Sequence, residues 1–253
     1  MTKKKWLSVL LAVVLVAAML PTMAYATGTM ESVYLNGASG DDANTGEDSA
    51  SAVKTFDKAM DLVADDGVIY ICGQVTVDSA LTVSDVKIER AEGYGGALIT
   101  VNSGAELTIS NTVIDGKKAD ETNATGYLIN VYNGTLNMQN GTQLINNNAT
   151  AVYVNNRSYF NMTGGIISGN MIENPIEDFY YSGAGIYNAG ITVISGGEIS
   201  NNTVTNYDGG AIRNDRGTLT LGGNAVVKDN KALSGAAIST SGGAKPYFRI
   251  TLP

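Results

Sequence analysis

The spacing of apolar residues changes period once along the chain. Between Ser51 and Ala64, Val53, Phe56, Ala59, Met60 and Val63 recur every three or four residues, with Lys54, Asp57, Lys58 and Asp61 on the opposite face. That spacing predicts one amphipathic helix over 51–64. Beyond Asp65-Asp66-Gly67 the period drops to two. Val68 to Gly73, Val75-Thr76-Val77, Leu81-Thr82-Val83 and Val86-Lys87-Ile88 read as short strands. Upstream, Ser32 to Gly37 predicts another strand, leading into a Gly-, Asp- and Asn-rich loop from Ala38 to Asp48.

From residue 107 one phrase returns five times: Leu107-Thr108-Ile109, Leu136-Asn137-Met138, Phe160-Asn161-Met162, Thr192-Val193-Ile194 and Leu219-Thr220-Leu221. A turn follows each phrase, for example Asn140-Gly141, Gly164-Gly165 and Gly196-Gly197, and then a second apolar segment such as Ile166-Ile167 or Val226-Val227. Late in the chain a third segment is regular: Gly185-Ile186-Tyr187-Asn188, Ala211-Ile212-Arg213-Asn214 and Ala237-Ile238-Ser239-Thr240. From Ile109 through Met138, Met162 and Ile194 to Leu221 the steps are 29, 24, 32 and 27 residues.

Three short strands per variable interval suit one turn of a coil with loops absorbing the length differences. A single copy cannot bury its own apolar face, but coils stacked about 4.8 Å apart share one interior. The expected fold is therefore all-β, a right-handed parallel β-helix, with the 51–64 helix as its N-terminal capping helix. Asn146, Asn170, Asn202 and Asn230 each follow the second segment. At a stacked corner, asparagine tolerates left-handed dihedrals and its amide hydrogen-bonds along the coil axis.

Composition narrows the chemistry. The 253 residues contain no histidine and one cysteine, which excludes a Ser-His-Asp triad, a His-ligated zinc site and an internal disulfide. Cys72 reads as a small buried hydrophobe. Lys3-Lys4-Lys5, the apolar run from Trp6 to Leu20 and Ala24-Tyr25-Ala26 read as a signal peptide over 1–26. Removing those three lysines takes the formal charge from -8 to -11, a surface that repels nucleic acid and anionic membranes. The expected organisation is a strand, loop and helix at 27–67, the β-helix at 68–245 and a short tail at 246–253, on a secreted or surface-located chain without stable membrane insertion.

The repeats resemble the pectate-lyase-like superfamily of right-handed parallel β-helices. Gly209-Gly210-Ala211-Ile212 with Asn201-Asn202 or Asp229-Asn230 is also similar to repeats of polymorphic outer-membrane proteins and gut bacterial surface adhesins. Val33 to Gly37 with Ala52 to Phe56 looks like the opening module of such secreted proteins. The resemblance spans about residues 32–245 and implies fold and export more than activity.

Enzymes of this fold work with acids, sometimes calcium, and Lys or Arg on one face. Asp208, Arg213, Asp215 and Arg216 are the best such mixture, with Arg213 pointing outward beside Tyr187 and Ser239 if Ile212 points inward. Asp41, Asp42 and Asp48 are calcium candidates. Asp115 to Glu121 is a charged surface loop. The excursion from Met171 to Ser182 carries Phe179, Tyr180 and Tyr181, the leading binding candidates for a glycan or a host or surface protein. Asn123, Asn148 and Asn161 stand in Asn-x-Thr sequences that turn composition explains. The expected function is a noncatalytic extracellular interaction scaffold, adhesin-like, whose uncapped ends favour end-to-end self-association. The alternatives are a secreted polysaccharide lyase or glycoside hydrolase, and a fragment of a larger repetitive surface protein.

Overall fold

The structure is a computed structural model describing residues 22–24, 28–118, 120, 125–173, 183–243 and 245–248. It is nearly all-β, and every strand pair among the described residues is parallel. Three long sheets carry the molecule. The first runs from Leu81–Ser84 through Glu106–Ser110, Thr135–Met138, Tyr159–Met162 and Ile191–Ile194 to Thr218–Leu221, with Thr22–Ala24 and Lys245–Phe248 at its edges. The second starts at Met30–Asn36 and Val63–Gly73 and ends at Val226–Lys228. The third runs from Val75–Val77 to Ile238–Ser241. From Leu81 onward the chain visits first, second and third sheet in that order, coil after coil. This arrangement is compatible with a parallel β-helix.

Register explains why the repeat buries a core. Ile109, Met138, Met162, Ile194 and Leu221 are direct partners along the first sheet. Ile114, Leu144, Ile167, Ile199 and Val227 align in the second, and Val152, Ile186, Ile212 and Ile238 in the third. All but Leu221, Val227 and Ile238 are essentially inaccessible to solvent. Each such side chain contributes about 1.5–3 kcal/mol of burial, so stability accumulates coil by coil. Turn glycines let the coils close: Gly165 has φ +88°, and a Cβ there would stand 2.7 Å from Met138 Cε.

The corner after the second sheet divides between two neighbours what the sequence reading assigns to one. Asn146 has φ 52° and lies outside the amide ladder. The ladder begins at Asn147: its N–H donates to Asn170 Oδ1 (3.1 Å), that of Asn170 to Asn202 Oδ1 (3.1 Å), and that of Asn202 to Asn230 Oδ1 (3.0 Å). Gly169, Asn201 and Asp229, each just before a ladder asparagine, have positive φ like Asn146. Two adjacent positions are needed because one backbone unit must turn the corner while the next aims its amide along the axis. A second polar row occupies interior positions, where Asn188 Nδ2 donates to Asn214 Oδ1 (2.7 Å) and Thr192 Oγ1 to Asn188 Oδ1 (2.9 Å).

The helix is shorter than the 51–64 expected. It spans Phe56–Leu62, with Thr55 as N-cap accepting from Lys58 N. Val53 instead bridges Leu35, and Val63 already belongs to the strand Val63–Gly73. All five apolar positions are buried, yet only Phe56, Ala59 and Met60 reach the core as a helical face. The strand expected at 32–37 runs Met30–Asn36 and pairs with Val63–Gly73 inside the second sheet, so sheet pairing crosses the expected boundary at 67. Thr22–Ala24, just before the expected cleavage site, pairs with Leu81–Val83. The lysine and apolar segments of the expected signal peptide lie outside the described residues.

Arg90 ties several loops together. It is fully buried, and its guanidinium donates to the carbonyls of Gly116, Tyr94, Gly96 and Gly126 and to Asn147 Oδ1. The ring of Tyr94 lies 5.9 Å from its Cζ. Carbonyl dipoles from loops far apart in sequence thus converge on one buried cation.

Candidate functional site

The outward row of the third sheet gathers the chemistry. Side chains alternate in and out along a strand, so with Ile186, Ile212 and Ile238 inside, Tyr187, Arg213 and Ser239 form one outer row, as the sequence spacing implies. The row continues through Tyr153, Asn130 and Thr100 to Thr76. Tyr127, just before its strand, swings onto Tyr153. The rings of Tyr127 and Tyr153 stack with centroids 4.6 Å apart, and those of Tyr153 and Tyr187 with centroids 4.7 Å apart. These distances match the strand spacing of about 4.8 Å, so the coil pitch itself sets the aromatic stack.

Arg213 and its acids extend the row. Arg213 Nη1 donates to Asp208 Oδ2 (3.0 Å) and to Ser239 Oγ (2.7 Å), while its buried Nε has no hydrogen-bond partner among the described residues. Asp215 is the last residue of its strand rather than just past it. Its Oδ2 accepts from Tyr187 Oη (2.9 Å) and Arg216 (3.1 Å), and its Oδ1 from Ser241 Oγ (2.8 Å). Burial pushes the Asp215 carboxyl upward, but these hydrogen bonds, with the charge of Arg216, outweigh it and hold the group below the ordinary carboxylate value. The structure therefore joins Asp208, Arg213, Asp215 and Arg216 to the tyrosine stack. Chemically the cluster is a fixed ionic and hydrogen-bonding surface. A general acid for glycoside hydrolysis needs a raised pKa, and Asp215 is shifted the opposite way.

The calcium candidates do not converge. Asp42 Oδ1 accepts from the N–H groups of Lys54 (2.8 Å) and Thr55 (2.9 Å), and its Oδ2 from Thr55 Oγ1 (2.9 Å). Asp48 Oδ1 accepts from Ala50 N, Ser51 N and Ser51 Oγ, and Asp41 Oδ1 from Ala43 N. Asp41 and Asp48 each fasten their own turn, Asp42 fastens the entry to the helix, and each carboxylate is faced by N–H or O–H donors. Among the described residues no three Asp, Glu, Cys or His side chains gather as a metal site.

The remaining candidates occupy other places. Phe179, Tyr180 and Tyr181 lie outside the described residues, as does Asn123. Cys72 is half-buried rather than buried, between the core residue Ile71 and Gly73, with its thiol directed at Leu35 O (3.6 Å) and pushed to higher pKa by burial. In the charged loop, Lys117 pairs with Glu89 (3.5 Å) and Asp120 (3.2 Å), and Lys118 Nζ donates to Gly169 O (2.6 Å). Asn148 donates to Lys118 O, and Asn161 to Asn137 Oδ1.

Sequence reading missed the tyrosine stack and Arg90. Tyr153 and Tyr187 occupy equivalent places after Val152 and Ile186, a signal available once the third segment is aligned backwards. Tyr127 and Arg90 follow no period. Comparison with protein-family models, with curated proteins and with solved structures returned no match.

Proposed function

We propose that this chain is a noncatalytic extracellular or surface-located interaction scaffold. On this reading it is a right-handed parallel β-helix of pectate-lyase-like kind, exported by its N-terminal segment, with Phe56–Leu62 as N-terminal cap. The observation carrying it is the stack of Tyr127, Tyr153 and Tyr187 in line with Arg213 on one rigid outer face. Tyr187 itself is buried, at 1% exposure, with its hydroxyl donated to Asp215, so it anchors the stack. The partly exposed rings of Tyr127 and Tyr153 and the guanidinium of Arg213 form the accessible part. Aromatic surface beside a cation suits an extended polar polymer such as a glycan. In sequence, the excursion bearing Phe179 to Tyr181 falls between Ile172 and Ile186, shortly before Tyr187. A cation held by Asp208 and an acid held down by three donors favour adhesion over proton transfer.

The test is binding to immobilised neutral and acidic polysaccharides, with the same polymers followed for chain cleavage. Tyr153→Ala is expected to weaken binding about tenfold, and replacing 171–182 with a short turn to weaken it further, with thermal melts reporting that both variants fold. Undiminished binding in both variants would remove this face from the reading. Release of shortened chains would replace it with the lyase or hydrolase alternative.

A further inference from the structure

The chain between Gly116 and Gly126 leaves the stack and returns to it, and one strand end grips both of its feet. Lys87–Arg90 ends in Glu89 and Arg90, which alternation sends to opposite faces. On the outer face Glu89, 4% exposed, pairs with Lys117 (3.5 Å). On the inner face Arg90 donates from Nε to Gly116 O (3.2 Å) and from Nη2 to Gly126 O (3.0 Å), the carbonyls where the excursion departs and comes back. Gly126 O also accepts from Asn147 Nδ2 (3.0 Å), and Gly126 N donates to Gly95 O (2.9 Å). A Cβ at Gly126 would fall on the backbone of Gly96. The returning chain therefore lies flush against the coil before it.

Tyr127 follows directly. Two places before the aligned Ile99, Ile129, Val152, Ile186 and Ile212 stand Ala97, Tyr127, Thr150, Ala184 and Gly210, so only this coil carries a large side chain there. Counted back from the inward Ile129, strict alternation turns Tyr127 inward as well. Instead Leu128 and Ile129 are buried in succession, and the Tyr127 ring lies on Tyr153 with centroids 4.6 Å apart. The break in alternation sits beside the one residue that Arg90, Asn147 and Gly95 all hold.

We infer that Arg90 is a positioning residue for the aromatic face: by fixing the carbonyl of Gly126 it aims Tyr127 onto Tyr153 and so sets where the stack begins. Only the effect on binding rests on the proposed function; the stacking does not. A guanidinium suits the task because its planar fork reaches Gly116, Gly126 and Asn147 at once, whereas an ammonium is a single point on a flexible stem. Tyr187 is held separately, through Asp215, so the pair Tyr153 and Tyr187 does not depend on Arg90.

Nuclear Overhauser contacts between ring-labelled tyrosines of the full chain test this. In the parent, contacts join Tyr127 to Tyr153 and Tyr153 to Tyr187. Arg90→Lys, the neutral Arg90→Gln and, independently, Gly126→Ala are each expected to lose the first contact and keep the second, with thermal melts reporting which variants fold. On the polysaccharides above, each should bind about as weakly as Tyr127→Ala, about tenfold below the parent. Adding Tyr127→Ala to an Arg90 variant should then cost nothing more. A folded Arg90 variant that keeps the first contact overturns the inference, and so does loss of both contacts together, the mark of general loosening. Additive losses of binding overturn its functional part. A parent that binds no polymer removes the binding face, and the ring contacts still decide the role of Arg90.

Discussion

Asn147 and Asn146 are adjacent and chemically identical, yet their loss should differ. Asn147 contributes an N–H to Asn170 and sends its side-chain amide to the carbonyls of Gly126, Ala149 and Thr150. Asn147→Ala therefore strands buried carbonyls, at a cost of about 1–3 kcal/mol. Asn146 mainly supplies a left-handed corner, φ 52°, which glycine adopts without strain, so Asn146→Gly should stay within about 0.5 kcal/mol of the parent. Urea unfolding of the two variants measures the difference, and equal losses would return the ladder to position 146. The repeat made a corner asparagine legible, but not which of two consecutive asparagines turns the chain. That choice depends on the pairing register of the strand before it.

At the scale of elements, the short helix depends on how it is entered. Asp42 receives two backbone N–H groups and the Thr55 hydroxyl immediately before Phe56. Burial is the largest single influence on its carboxyl and pushes it up, but these donors together, with Lys58 nearby, outweigh it and hold the group below its ordinary value of 3.8. A depressed acid contributes stability above the unfolded value and loses it as pH falls through the folded one. Amide exchange at 56–62 should therefore quicken as pH drops below 3.8, after correction for intrinsic rates. Asp42→Ala should show faster exchange already at neutral pH. Exchange indifferent to both would separate Asp42 from the helix. Helical spacing revealed the buried positions here but overstated the length, because Val53 and Val63 keep the same spacing while lying in extended backbone. Period alone does not distinguish an apolar residue in a helix from one in the strand that follows.

For the whole molecule, the fixed visiting order of three sheets makes a coil a removable unit. Residues 139–162 form one circuit, since Met138 and Met162 are direct partners. Their deletion joins Met138 to Thr163 with Ile109 still beneath and Ile194 next above, in register. The shortened chain should fold with an unchanged parallel-β spectrum and a lower unfolding free energy, as nearest-neighbour stacking requires. Loss of the cooperative transition in a denaturant titration would contradict that expectation. The coil order was legible because Ile, Met and Leu recur in step. The outer surface was less so, since outward residues answer to no shared interior and change freely between coils, from Thr100 through Tyr187 to Arg213.

Arg90 adds a direction in time to this architecture. Its acceptors include Gly126 and Asn147, the latter 57 residues downstream. A guanidinium enclosed without them carries a severe desolvation penalty. During synthesis, the coil holding Arg90 thus stays unlocked until two further turns of chain have emerged to enclose the charge it already contains.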